Sequence, residues 1–106
     1  MRDLTSPDEL DALLREPEVV LLKHGAHCPI SANARDELAR LEKSRPDTPV
    51  YGVEVTSSRA LSNDLAQRLG VRHESPQAFV LREGRVAWKA THLNITAEAL
   101  GEQLGR

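Results

Sequence analysis

The sequence predicts a single α/β domain, residues 1–106, built on a four-stranded mixed sheet flanked by helices in the order α-β-α-β-α-β-β-α. Three observations predict it. Apolar residues alternate along the chain between helical and strand spacing. Val19-Val20-Leu21-Leu22 is apolar throughout, the pattern of a strand buried on both faces. Two strand-like segments then meet across Glu83-Gly84, a tight turn, so an antiparallel hairpin follows a β-α-β half whose strands should be parallel.

Each element has its own local reason. Ser6-Pro7-Asp8-Glu9 opens the first helix, with Ser6 as cap, Pro7 at the first helical position and Glu9 completing a capping box. Leu10, Leu13 and Leu14 share its apolar face, and Pro17 stops it. The buried strand Val19–Leu22 follows, then the turn Lys23-His24-Gly25-Ala26-His27-Cys28-Pro29. A second helix runs from about Pro29 to Lys43, with Ile30, Ala34, Leu38 and Leu41 on one face. After a loop with two prolines, Val50–Val55 reads as the second strand. Ser57 or Ser58 caps a third helix carrying Leu61, Leu65 and Leu69, which Gly70 ends. Gln77–Leu81 and Arg85–Thr91 form the hairpin. Thr96 opens the last helix, and Ile95 and Leu100 are placed to staple that cap.

Composition removes several function classes. Hydrophobic residues at 40% and a net charge of −2 exclude a disordered chain. Fourteen basic against sixteen acidic residues leave no cationic surplus for a nucleic-acid partner. Tyr51, Phe79 and Trp88 are the only aromatics, too few for a base-stacking platform, and core packing accounts for Phe79 and Trp88. No apolar run approaches the roughly 18 residues of a membrane helix, and Met1–Pro7 lacks the apolar stretch of a signal peptide. The single cysteine excludes an internal disulfide. The expectation is a cytoplasmic protein with one reduced thiol and no membrane partner. The sequence also lacks a Gly-rich phosphate loop and paired carboxylates at a spacing suited to acid–base work.

Cys28 is the most informative position. It lies between a buried strand and a helix start, where unpartnered backbone N–H groups stabilise a thiolate and lower the thiol pKa. Lys23, His24 and His27 are close in sequence and would push the same way if cationic, while Pro29 has no N–H to satisfy. The plainer account, a small buried hydrophobe, fits poorly with a strand-to-helix turn, which is normally at the surface. Ser31 stands where a dithiol motif would have its second cysteine. It is either a hydrogen-bond donor to the Cys28 thiolate or a first-turn serine without a chemical role. Because Ser31 cannot form a disulfide, a one-thiol mechanism follows, its mixed disulfide resolved by an external thiol. The Ser75–Pro76 bond precedes a strand, and base rates alone make it trans. His24, His27 and Cys28, with His73 or His92, match no metal-ligand spacing, so no metal is expected.

A lone thiol, a strand–Cys28-Pro29-Ile30-Ser31–helix unit and a later Ser75-Pro76 before a hairpin resemble the thioredoxin-like superfamily. Lys23-His24, His27 to Ser31, Val71-Arg72-His73-Glu74-Ser75-Pro76-Gln77, and Trp88 to His92 through Ile95-Thr96 resemble the monothiol bacilliredoxin family, over nearly the whole chain. His27 departs from the Thr or Arg that often precedes the cysteine there. The resemblance implies a thioredoxin-like fold and a thiol-disulfide oxidoreductase. It implies Cys28 as nucleophile, supported by His27, Pro29 and Ser31, with Pro76 as a cis-proline and Ser75 as the backbone edge that pairs with a disulfide substrate. It further implies bacillithiol as co-substrate and S-bacillithiolated proteins as partners. His27, Arg72 and His92 are candidates for binding the small thiol, solvated surface side chains being the plainer account. The alternatives are a thioredoxin-like binding module or iron–sulfur carrier, and a glutathione-linked monothiol glutaredoxin.

Overall fold

In a computed structural model, residues 1–105 are described. The elements are β1 (Arg2–Asp3), α1 (Pro7–Leu14), β2 (Glu18–His24), α2 (Pro29–Ser44), β3 (Val50–Glu54), α3 (Arg59–Leu69), β4 (Gln77–Arg82), β5 (Arg85–Thr91), a 3₁₀ turn (His92–Asn94) and α4 (Ala97–Gln103). The sheet has five strands in the order β1-β3-β2-β4-β5. The fifth strand, absent from the sequence expectation, is β1. It is two residues long, polar and exposed, so it carries no apolar pattern, and it exists through parallel pairing of Arg2 and Asp3 with Tyr51 and Gly52. The other order is as expected: β2 and β3 are parallel, β2 and β4 antiparallel, β4 and β5 a hairpin.

The central strand β2 organises three layers. Successive side chains of a strand point to opposite faces. Val20 and Leu22 therefore join Ala34, Leu38 and Leu41 of α2 and Leu100 of α4 in one core cluster. Val19 and Leu21 join Leu10 and Leu13 of α1 and Leu61 and Leu65 of α3 in the other. Val19 to Leu22 have no exposed surface; burying each such side chain contributes roughly 1.5–3 kcal/mol. The alternation continues through Lys23 and His24, which are buried too.

The helix ends show which local signals hold. Ser6 Oγ accepts from Glu9 N–H at 3.2 Å, but Glu9 returns its carboxylate to Thr5 N–H at 2.9 Å, one residue before the cap. Thr96 Oγ1 accepts from Ala99 N–H at 3.1 Å, with Ile95 and Leu100 both fully buried beside it. Ser58 is the N-cap of α3 yet makes no side-chain cap hydrogen bond. The carboxylate of Glu54 instead takes the Thr56 and Ser57 N–H groups. Gly70, at φ 66°, ends α3.

Candidate active site

Cys28 is the N-cap of α2, half-buried, with an extended backbone (φ −94°, ψ 123°). Pro29 holds the first helical position. The backbone N–H of Ser31, then that of Ile30, draws the Cys28 thiol below its ordinary pKa, with the Ser31 hydroxyl and the Arg35 cation adding to the effect. Ser31 is fully buried, and its Oγ accepts from Gly25 N–H at 3.0 Å. A hydroxyl that accepts one hydrogen bond still has its own proton to give, so Ser31 both fixes the turn and faces the sulfur. His27 is exposed beside it.

A hydrogen-bonded network centred on buried His24 stands behind this turn. His24 is 4% exposed. Its Nε2 lies 2.9 Å from Asp3 Oδ1, and its Nδ1 is 3.1 Å from an Arg35 guanidinium nitrogen. The arginine can only donate, so Nδ1 accepts and the ring proton sits on Nε2, toward the carboxylate. Arg35 also donates to the Gly25 carbonyl at 2.9 Å. Strand β1, strand β2, helix α2 and the Cys28 turn are thus joined through three side chains, Asp3, His24 and Arg35. The route needs Gly52: a Cβ there would lie 2.3 Å from Asp3 Oδ1 and 3.1 Å from His24 Nε2.

Glu54 anchors the turn from the other side. It accepts from Ser57 N–H (2.8 Å), Thr56 N–H (3.2 Å) and Ala26 N–H (3.1 Å). The Ser57 and Thr56 N–H groups, with Ala26 adding, hold its carboxyl down at about 2. Ser75 and Pro76 are joined by a cis peptide bond. Pro76 is buried, and its carbonyl accepts from His92 N–H at 3.1 Å. Arg72 and His92 are exposed, and His92 has a positive φ of 53°.

Of the histidines considered as metal ligands, His27 adjoins Cys28 in the chain, while His24 and His73 are engaged elsewhere. His24 is committed to Asp3 and Arg35, and His73 Nδ1 to Lys23 Nζ at 2.6 Å. Among the described residues no three His, Cys, Asp or Glu side chains converge. Sequence reasoning missed Asp3, Arg35 and Glu54. Arg35 carried the one available signal, since it sits two helical turns beyond Cys28 on the same side of α2. Asp3 and Glu54 had none, because their partners come from distant parts of the chain.

The family model described as Monothiol bacilliredoxin BrxC matches residues 2–100. The chain belongs to the monothiol bacilliredoxin family. Among solved structures, a thioredoxin-fold protein whose description proposes an oxidoreductase is 35% identical, with a TM-score of 0.90 over 96% of this chain and 91% of that one. Thioredoxin from Fasciola hepatica matches at 16% identity and a TM-score of 0.77, over 98% of this chain and 96% of that one. Mitochondrial thioredoxin 3 from Saccharomyces cerevisiae matches at 16% identity and a TM-score of 0.75, over 96% and 91%. These last two establish the thioredoxin fold alone. Family and fold together make the chain a one-thiol oxidoreductase of thioredoxin fold. No helix among the described residues is long and apolar enough to cross a membrane.

Proposed function

We propose that this bacilliredoxin removes bacillithiol from S-bacillithiolated proteins in the cytoplasm, through a mixed disulfide on Cys28. The Cys28 thiolate attacks the bacillithiol sulfur of the protein mixed disulfide. That S–S bond breaks, the protein sulfur leaves as a thiolate and takes a proton from solvent, and bacillithiol remains bonded to Cys28. A second bacillithiol thiolate then attacks the same bacillithiol sulfur. Bacillithiol disulfide departs, and Cys28 leaves as a thiolate. Over the two steps, one protein mixed disulfide and one bacillithiol thiol become one protein thiol and one bacillithiol disulfide, so the disulfide bond is passed from the protein to bacillithiol and Cys28 is regenerated.

The observation that carries this reading is the lowered pKa of a lone cysteine at a helix start. A lower pKa raises the thiolate fraction for the first step and makes Cys28 a better leaving group in the second. Ser31, where a dithiol relative has its resolving sulfur, donates to the thiolate. Pro29 fixes the helix start, and His27 borders the sulfur from the solvent side. The backbone of Ser75, ahead of cis-Pro76, is the edge on which the disulfide substrate is held. The test is release of bacillithiol from a bacillithiolated protein by wild type and by Cys28→Ala, with bacillithiol or glutathione as the second thiol. Wild type releases it with bacillithiol and Cys28→Ala does not. Equal slow release by both proteins refutes the reading, and a preference for glutathione reassigns the co-substrate.

A further inference from the structure

A polar cleft of about 360 Å³ opens beside the start of α3. Val55, Thr56, Arg59, Ser62, Asn63 and His73 line it. Every polar side chain in that wall can donate a hydrogen bond, and none is a carboxylate. Ser62 is 1% exposed, and its Oγ has no hydrogen-bond partner among the described residues. A buried hydroxyl left unpaired in a cavity wall is a place where a ligand acceptor is missing.

His73 is oriented from behind. Lys23 is fully buried, and its ammonium can only donate, so His73 Nδ1 accepts from it at 2.6 Å. The ring proton is therefore on Nε2, which is left as a donor with a buried cation at its back. The first turn of α3 adds to the positive field: it carries no acidic residue, and Ser58 gives it no side-chain cap. Two nearby carboxylates are engaged elsewhere. Glu54 holds three backbone N–H groups, and Asp64 accepts from Arg68 at 3.3 Å. Glu74, beside His73 in the chain, is the one acidic group that acts on the ring, and it opposes Lys23.

Two links tie the cleft to the thiol site. Glu54 ties Thr56 and Ser57 of the cleft loop to Ala26 of the Cys28 turn. His73 lies in the segment that leads directly into Ser75-Pro76. We propose that this cleft binds a carboxylate of the small thiol held on Cys28 as a mixed disulfide, with Arg59, His73 and Ser62 as donors and Lys23 as a positioning residue acting through His73. The proposal rests on the one-thiol reading above and names how the thiol is selected.

The test uses the full chain with Cys28 converted to its 2-thiopyridyl disulfide. Release of 2-thiopyridone is followed after adding 3-mercaptopropionate, which carries a carboxylate, or 2-mercaptoethanol, which does not. The quantity read is the ratio of the two rate constants. Arg59→Met and Ser62→Ala each lower this ratio, Arg59→Met by about tenfold, and Arg59→Lys keeps most of it. Added salt lowers the wild-type ratio and leaves that of Arg59→Met nearly unmoved. Lys23→Met lowers the ratio by less than Arg59→Met, since the wall is intact and only the cation behind His73 is gone. A ratio unchanged in both Arg59→Met and Ser62→Ala overturns the proposal. Wild type reacting with both thiols no faster than an unstructured peptide disulfide overturns the one-thiol reading, and the proposal with it.

Discussion

Lys23 and His24 are consecutive residues on one buried strand, and the sheet turns them into opposites. His24 faces α2, where both ring nitrogens have partners and the network closes on Asp3, Arg35 and Gly25. Lys23 faces α3, where its ammonium meets one neutral nitrogen, His73 Nδ1. A buried ring with both nitrogens engaged holds geometry and has nothing left to give a ligand. A buried cation with a single neutral partner is under-compensated, and burial pushes its amine down to about 8. One face positions the thiol, and the other offers positive charge beside a cleft.

The comparison breaks most visibly at Arg35. Arg35→Met strips buried His24 Nδ1 of its donor and leaves the Gly25 carbonyl only the long Cys28 N–H contact at 3.5 Å, and a buried polar group left unpaired costs about 1–3 kcal/mol. The expected result is a lower urea midpoint with an unchanged slope, together with a higher Cys28 pKa, because a nearby cation is lost. An unchanged midpoint would show that the network contributes no stability.

Lys23→Met should move stability the other way, by about 1 kcal/mol, since an apolar side chain of similar length removes the cost of burying charge. Its pH signature is distinct. The amine is held at about 8 in the folded chain against an ordinary 10.5. Between these values the unfolded chain binds more protons, so folding stability rises with pH across that window. Lys23→Met flattens the rise, and urea melts at pH 7, 8, 9 and 10 measure it. A destabilised Lys23→Met with the rise intact would remove the contrast between the faces.

The smallest effect is expected at Ser31. Ser31→Ala keeps the backbone N–H groups that act first on Cys28 and removes only the hydroxyl. Thiolate absorbance near 240 nm against pH should show a modest upward movement of the thiol pKa, less than the loss of thiolate that unfolding the α2 start produces. No movement would assign Ser31 to holding Gly25 N–H alone.

Much of this was legible in the chain itself. The apolar run in β2, the Thr96 cap and the Cys28-Pro29 helix start are local patterns, and local patterns depend on neighbours a few residues away. β1 escaped because two polar residues have no periodicity, and only Gly52 beside them made the pairing and the Asp3–His24 contact possible. Ser58 looked like a cap, but Glu54, a residue of the preceding strand, took the loop N–H groups instead.

The order of elements, the lone sulfur and its place at a helix mouth follow from residue types and spacing, because each arises within one or two turns of chain. Which side of the sheet a buried charge faces, and what meets it there, was decided by tertiary structure. Asp3, His24 and Arg35 converge from three elements, while on the opposite face Lys23 of β2 meets His73 of the loop after α3, and His73 shares a cleft with Ser62 of α3. Such meetings depend on strand order and helix packing, which bring together side chains that share no local pattern.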